Sequence, residues 1–222
     1  MRQLTRKQIL SMAMAALFAV PALLGFAGSQ TQTKTAATVP DLTAVKSLGS
    51  RQAPITIEVF SDYQCPQCRR FYEETTRQLI DNYISTGKVY LVHRDFPLSM
   101  HSYSHQAAHW MNAVAELGNS QFYTAEGALY AKQDDWGATG RIDQVLAAAL
   151  SPGDMKKVRQ LESTQGPQLD AAIDRDLALG NSLHVDGTPT IFVTHRGQTT
   201  PLPPGGVAYP LLKQYLDYLL QH

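Results

Sequence analysis

The sequence predicts an α/β chain: a strand–helix–strand unit, a helical stretch of about 80 residues, then a strand–strand–helix unit. Three observations carry this reading. "APITIEVF" (53–60) and "KVYLVHRDF" (88–96) are rich in β-branched residues and bounded by Pro54, Ser61 and Pro97. Between them Tyr72, Leu79, Ile80, Tyr83 and Ile84 recur at three- and four-residue steps, the period of a helix face. The chain's two cysteines, Cys65 and Cys68, fall directly after the first of these strands.

Composition sets the outer bounds. The 222 residues carry 19 basic and 19 acidic side chains, and 44% of them are apolar, an ordinary globular composition. Neither a fixed repeat nor a basic stripe with interleaved aromatics is present, so no nucleic-acid partner is expected. The first 27 residues stand apart. Arg2, Arg6 and Lys7 precede the uncharged run "ILSMAMAALFAV", followed by Pro21 and by Gly25 and Ala27 at −3 and −1 of a cleavage position. This is the layout of a secretory signal peptide over residues 1–27. An uncleaved membrane anchor is the competing reading, because Ile9 to Ala27 is long enough to span a bilayer. Either way the remainder is placed where disulfides persist. Polar, Thr/Gln-rich residues 28–47 read as a flexible linker, with folded structure beginning near Leu48.

The first strand covers 53–60, and the helix after it runs from Cys65 to about Thr86, with Gly87 suited to the position beyond its end. The second strand, 88–96, stops at Pro97. Strand, helix and strand at this spacing make a βαβ unit with parallel strands and a right-handed crossover. From Ser104 to Leu183 the pattern is helical, with Ala107, Ala108, Met111, Val114 and Ala115 on one stripe and a break at Ser151-Pro152-Gly153. Trp110, Trp136 and the aromatics between 122 and 130 read as the core of this region. "TIFVTH" (190–195) is a strand, "HRGQ" a tight turn, "TTPLP" an edge strand and "AYPLLKQYLDYLL" an amphipathic closing helix.

A disulfide stabilises mainly by closing a long loop, and Cys65–Cys68 closes almost none, so the pair points to chemistry rather than stapling. Together, "FSDYQCPQC" after a strand, "VDGTPTIFV" late in the chain and the helical stretch between them resemble the thioredoxin fold in its DsbA-like branch. The resemblance covers most of residues 48–222. It implies a central mixed β-sheet flanked by helices, built from 48–100 and 184–222, with an inserted helical domain over 101–183. It also implies an exported thiol–disulfide oxidoreductase acting through a CPQC dithiol, in the periplasm or a comparable extracytoplasmic space, without a cofactor. Disulfide donation is the favoured direction, with a reductase or isomerase as the rival and a Cu/Zn-binding module as a more distant alternative. Exported protein substrates and a membrane-bound, quinone-linked reoxidising partner follow from the same resemblance. Residues 28–47 are too short and polar for the dimerisation region of dedicated isomerases, so a monomer is expected.

The residues themselves support this chemistry. Positions i and i+3 of a helix lie with Cα atoms about 5 Å apart, inside the range of roughly 4.4–6.8 Å that a disulfide needs. Cys65 falls at the helix start, where unpaired N–H groups and the dipole favour a thiolate, and Pro66 suits the first turn because its missing N–H costs nothing there. Cys65 is therefore the reactive thiol and Cys68, one turn in, the shielded resolving one, with Pro66 and Gln67 between them. By resemblance the Thr188–Pro189 bond is cis and faces the cysteines, offering the Thr188 backbone to a substrate strand. Two positions depart from the family. Gln67 stands where the most oxidising members carry a histidine, and Val59 stands where relatives bury an acid, six residues before the first cysteine. Glu58 is one position off and, on an alternating strand, should point to the other face. His93 reads as a packed histidine. His101, His105 and His109, at four-residue steps, read as a solvated or partly packed helix face rather than a metal site.

Overall fold

The computed structural model describes residues 41–222; the leader read over 1–27 and the linker up to residue 40 lie outside the described residues. Five strands form one mixed sheet: β1 (Ser47–Leu48), β2 (Ile55–Ser61), β3 (Val89–Asp95), β4 (Thr190–His195) and β5 (Gln198–Pro201), in the order β1-β3-β2-β4-β5. β2 and β3 are parallel, as a βαβ crossover requires, and the remaining pairings are antiparallel. Arg196 and Gly197, both at positive φ, make the two-residue turn that returns β4 into β5. β5 is exposed at every residue, as an edge strand carrying a proline must be.

Helix α1 runs over residues 66–84 and includes two wider π-type turns, Tyr72–Thr76 and Ile80–Ile84. It packs Phe71, Leu79, Tyr83 and Ile84 onto Ile55, Ile57, Val59, Val89 and Leu91, and closing helix α7 (Tyr209–Gln221) adds Leu212 and Leu216 to the same core. The opposite sheet face is covered by the end of a long helix, where Phe60, Phe96, Val185 and Phe192 meet. Gly180 permits this approach, since a Cβ there would stand 2.5 Å from the Phe96 ring.

The expected helical insertion consists of α2 (Ser104–Ala115), α3 (Asn119–Ala131), α4 (Gln133–Thr139), α5 (Ile142–Ala149) and α6 (Pro152–Ser182). The break read at 151–153 is the start of α6: Ser151 caps the Asp154 N–H and Pro152 takes the first turn. The 31-residue α6 bends at Gln165, which leaves helical geometry ahead of Gly166 and Pro167. Trp136, Phe122 and Tyr130 are buried in the insertion's core, with Trp110 packed against it.

One boundary needs correction. The flexible linker read over 28–47 does not hold for residues 41–47. Leu42–Ala44 form a single 3₁₀ turn, Leu42 is buried, and Ser47–Leu48 pair with β3. The cause is Lys46, which is 2% exposed and whose Nζ meets Asp95 Oδ2 at 2.5 Å, Asp176 Oδ2 at 3.2 Å and Asn112 Oδ1 at 3.2 Å. A lysine in a polar stretch gives no sign of burial when its partners lie 49, 66 and 130 residues away.

Removing this ammonium leaves two buried carboxylates short of a partner. Lys46→Met should therefore cost about 3–5 kcal/mol, read from urea unfolding at pH 7. Burial alone would raise the Asp95 carboxyl, but Lys46 and His93 outweigh it and hold it at about 2. Its contribution is thus complete above about pH 4 and is lost as pH falls through 2. The gap between wild type and variant should shrink over that window.

Candidate active site

β2 ends at Ser61, and a short turn, Asp62 to Gln64, delivers Cys65 to the N-cap of α1 with extended backbone (φ −74°, ψ 122°). The turn is tied on several sides. Asp62 Oδ1 accepts the Gln64 N–H at 2.7 Å, and the Gln133 side-chain amide donates to the Tyr63 and Cys65 carbonyls at 2.7 and 3.0 Å. Gln64 in turn donates to the Gly137 carbonyl and accepts the Tyr103 N–H, so α4 and the start of α2 both hold the loop before the cysteines.

Both thiols are free and buried, at 6% and 2% exposure. Cys65 is held down to about 5. The hydrogen bond from the Cys68 thiol does most of this, opposed by burial and helped by Thr188 and the N–H groups of Cys68 and Gln67. The N–H groups are the unpaired donors of the helix start, as the sequence implied, but the partner sulfur contributes more. Cys68 moves the opposite way: burial pushes it well above the ordinary thiol range, and its bond to Cys65 adds to the rise. The Asp62 N–H at 3.4 Å and the Ser61 hydroxyl reach the Cys68 sulfur and offset only part of this.

The segment before β4 closes the site. The Thr188–Pro189 peptide bond is cis, and the Cys65 thiol donates to the Thr188 carbonyl at 3.4 Å. The Thr188 hydroxyl is buried and has no hydrogen-bond partner among the described residues. Pro66 occupies the first helical position, and Gln67 is exposed.

Beneath Cys68 lies a cavity of about 20 Å³ lined by Val59, Ser61, Tyr72, His93, Glu126 and Tyr130, among others. β2 and β3 run parallel with Val59 beside His93 in register, so the two side chains share the face below the cysteines. Glu58 points to the other face and pairs with Arg94 at 2.8 Å, as strand alternation implied. The carboxylate in the cavity comes from the insertion: Glu126 of α3, whose Oε1 stands 2.9 Å from His93 Nδ1. His93 Nε2 lies 3.2 Å from Asp95, and the ring stacks on Tyr63. Burial pushes this imidazole down, but the two carboxylates outweigh it and raise it to about 9. His93 is packed, as read, yet carries a charge that periodicity could not reveal. Tyr130, read only as core of the helical region, and Glu126, not singled out at all, were missed because nothing local marks a helical position that faces a site more than 50 residues away.

The three spaced histidines do not share a helix. His101 precedes α2 and meets Asp62 Oδ2 at 2.7 Å; His109 meets Asp170 at 2.6 Å; His105 is exposed. Among the described residues no group of three or more His, Cys, Asp or Glu is gathered as metal ligands.

Taken together, a parallel βαβ unit with a dithiol at its helix start, beside the Thr188–Pro189 segment that leads into β4, defines a thioredoxin-type redox protein. Solved structures share the fold. BdbD of Bacillus subtilis superposes with a TM-score of 0.66 at 21% identity, covering 80% of this chain and 93% of that one. DsbA2 of Pseudomonas aeruginosa gives 0.60 at 21%, covering 79% and 93%. Among curated proteins, disulfide bond formation protein D of B. subtilis is 24% identical over 161 residues, 71% of each chain. A segment of Na(+)/H(+) antiporter NhaA 3 of Salinispora tropica is 32% identical over 150 residues, 67% of this chain but only 21% of the antiporter. The thioredoxin family pattern matches residues 43–207, and the chain belongs to that family. With its paired cysteines it is a thiol–disulfide oxidoreductase.

If the Cys68 thiol is the main stabiliser of the Cys65 thiolate, Cys68→Ala should raise the Cys65 value from about 5 by about 1–2 units. The pH dependence of alkylation by iodoacetamide measures it.

Proposed function

We propose that this chain is a disulfide donor acting on proteins outside the cytoplasm, with Cys65 and Cys68 as its catalytic pair. The observation that carries the reading is the opposite displacement of the two thiols. A substrate thiolate attacks Cys65 Sγ of the oxidised pair, the Cys65–Cys68 bond breaks, and Cys68 leaves. A second substrate thiolate then attacks the substrate sulfur of the mixed disulfide, and Cys65 departs as the stabilised thiolate. A donor benefits from this arrangement, because its reduced state is the comfortable one. With Cys65 at about 5, two units below pH 7, the thiolate moves the two-electron potential by up to about 60 mV toward the oxidising end, less what solvent screens.

Thr188 and Pro189 form the substrate-binding edge, with the Thr188 backbone beside Cys65 available to pair with an extended peptide. Pro66 and Gln67 complete the motif, and Gln67 is the exposed member that a substrate meets. The extracytoplasmic location rests on the leader pattern of residues 1–27 and on the disulfide-forming relative. Among the described residues no helix is long and apolar enough to cross a membrane. Turnover needs reoxidation of the pair, for which a membrane-bound, quinone-linked partner is the natural class, and the chain acts as a monomer.

The test is the equilibrium of the Cys65–Cys68 pair against a glutathione series, read with the thiolate absorbance of Cys65. A potential above about −180 mV is the expected result. A value near −270 mV, with Cys65 titrating near 7, would make the protein a reductant instead.

A further inference from the structure

The departing Cys68 thiolate poses a problem that the two cysteines do not solve. It forms in a site where burial strongly disfavours its charge, so it must receive a proton as the disulfide opens. Cys68 faces inward, onto the cavity of about 20 Å³. That volume is enough for one water, which needs two to four polar partners. The lining offers them: the Ser61 and Tyr130 hydroxyls, which share a 2.8 Å hydrogen bond, with His93 and the Glu126 carboxylate.

The carboxylates of β2 and of the turn before Cys65 are committed elsewhere. Asp62 spends Oδ1 on the Gln64 N–H and Oδ2 on the Leu98 N–H and His101. Glu58 lies on the opposite sheet face against Arg94. Among the carboxylates of the described residues only Glu126 opens on the cavity, and it holds the Nδ1 side of an imidazole whose Nε2 side is held by Asp95. A ring with a carboxylate at each nitrogen carries a proton on both.

We propose that Glu126 and His93 form the proton relay of Cys68, with Glu126 passing the His93 Nδ1 proton across a cavity water to the departing sulfur. The substrate thiolate forms its bond to Cys65 Sγ, and the electron pair of the broken Cys65–Cys68 bond goes to Cys68 Sγ. One proton moves from His93 Nδ1 to Glu126, and one from Glu126 to the sulfur through the water. The products are the mixed disulfide, a Cys68 thiol, a neutral imidazole and an unchanged Glu126 carboxylate. A buried negative and a buried positive charge disappear together. When Cys68 attacks in the reverse direction, the same proton returns.

The energetic direction agrees. The imidazole at about 9 is a stronger acid than the Cys68 thiol, which lies well above that range. The other groups facing the pair hold still. Tyr63, Tyr123 and Tyr130 are pushed well above the ordinary phenol range by burial, Tyr72 is pushed up to about 12, and Asp95 stays ionised against Lys46. The relay rests on thiol–disulfide exchange at this pair and not on the donor direction.

The experiment follows mixed-disulfide formation by rapid acid quench after mixing oxidised protein with glutathione, from pH 6 to 10, each rate divided by the glutathione thiolate concentration. For the wild type, the normalised rate should be level to about pH 8 and fall through about pH 9 as the imidazolium is lost. Glu126→Gln should run roughly a hundredfold slower at pH 7, the lower end of what a positioned proton donor contributes, and without that fall. A Glu126→Gln rate within twofold of wild type, or one that keeps the wild-type inflection, overturns the relay. Should that variant fail to fold, a level wild-type profile from pH 7 to 10 overturns it alone. A disulfide inert to glutathione at every pH would instead sink exchange at Cys65 and Cys68 itself.

Discussion

Asp95 ends β3 with its carboxylate wholly buried, and the placement of the insertion follows from how that charge is neutralised. Lys46 answers it from the turn before β1, and His93 answers it from the same strand. Each of these brings further partners. Lys46 also binds Asp176 of α6 and Asn112 of α2, and His93 binds Glu126 of α3. One buried carboxylate thereby fixes three helices of the insertion, and the first turn of the described chain, to one end of the sheet. Apolar contact alone specifies this placement less sharply, since volume-conserving apolar rearrangements cost little. Buried charges do not, because a shift that separates one pair leaves an uncompensated ion at a cost of several kcal/mol.

The dithiol inherits its environment from this placement. Its elements come from β2 and α1, but the groups holding its approach loop, Gln133, Gly137 and Tyr103, belong to the insertion. The two sulfurs then fall on opposite sides of a divide. Cys65 faces the Thr188 carbonyl, and Cys68 looks in toward the cavity. The same sulfur–sulfur hydrogen bond lowers one thiol and raises the other, so the two are displaced in opposite directions by one contact.

Much of this was legible in the sequence, and the part that was not has a common cause. The parallel βαβ unit, the exposed edge strand and the closing helix follow from periods of 2 and 3.6 and from prolines that tolerate few positions. Strand alternation correctly sent Glu58 away from the cysteines. Lys46, Glu126 and the charge on His93 were hidden because each is defined by a partner far along the chain, and residue type alone marks a lysine or glutamate as exposed. The four-residue spacing of His101, His105 and His109 misled for the converse reason: it is local, and the helix begins only at Ser104.

Val59 shows what such hidden partners can do. Where the DsbA-like resemblance implied an acid on this strand, the chain has an isopropyl group, and β2 by itself offers Cys68 nothing ionisable on that face. A charge at position 59 would have to be desolvated by the sheet and balanced there alone. Glu126 enters the same space from α3 with a counter-ion, His93, beside Val59 in register. Moving the carboxylate from sheet to helix thus converts a lone buried acid, which would tend to stay protonated, into an ion pair that can hold a mobile proton at neutral pH. The pair in turn needs Asp95 to keep the imidazole charged, and Asp95 needs Lys46. The proton chemistry under Cys68 and the docking of the insertion are therefore one electrostatic arrangement, and neither could be altered without disturbing the other.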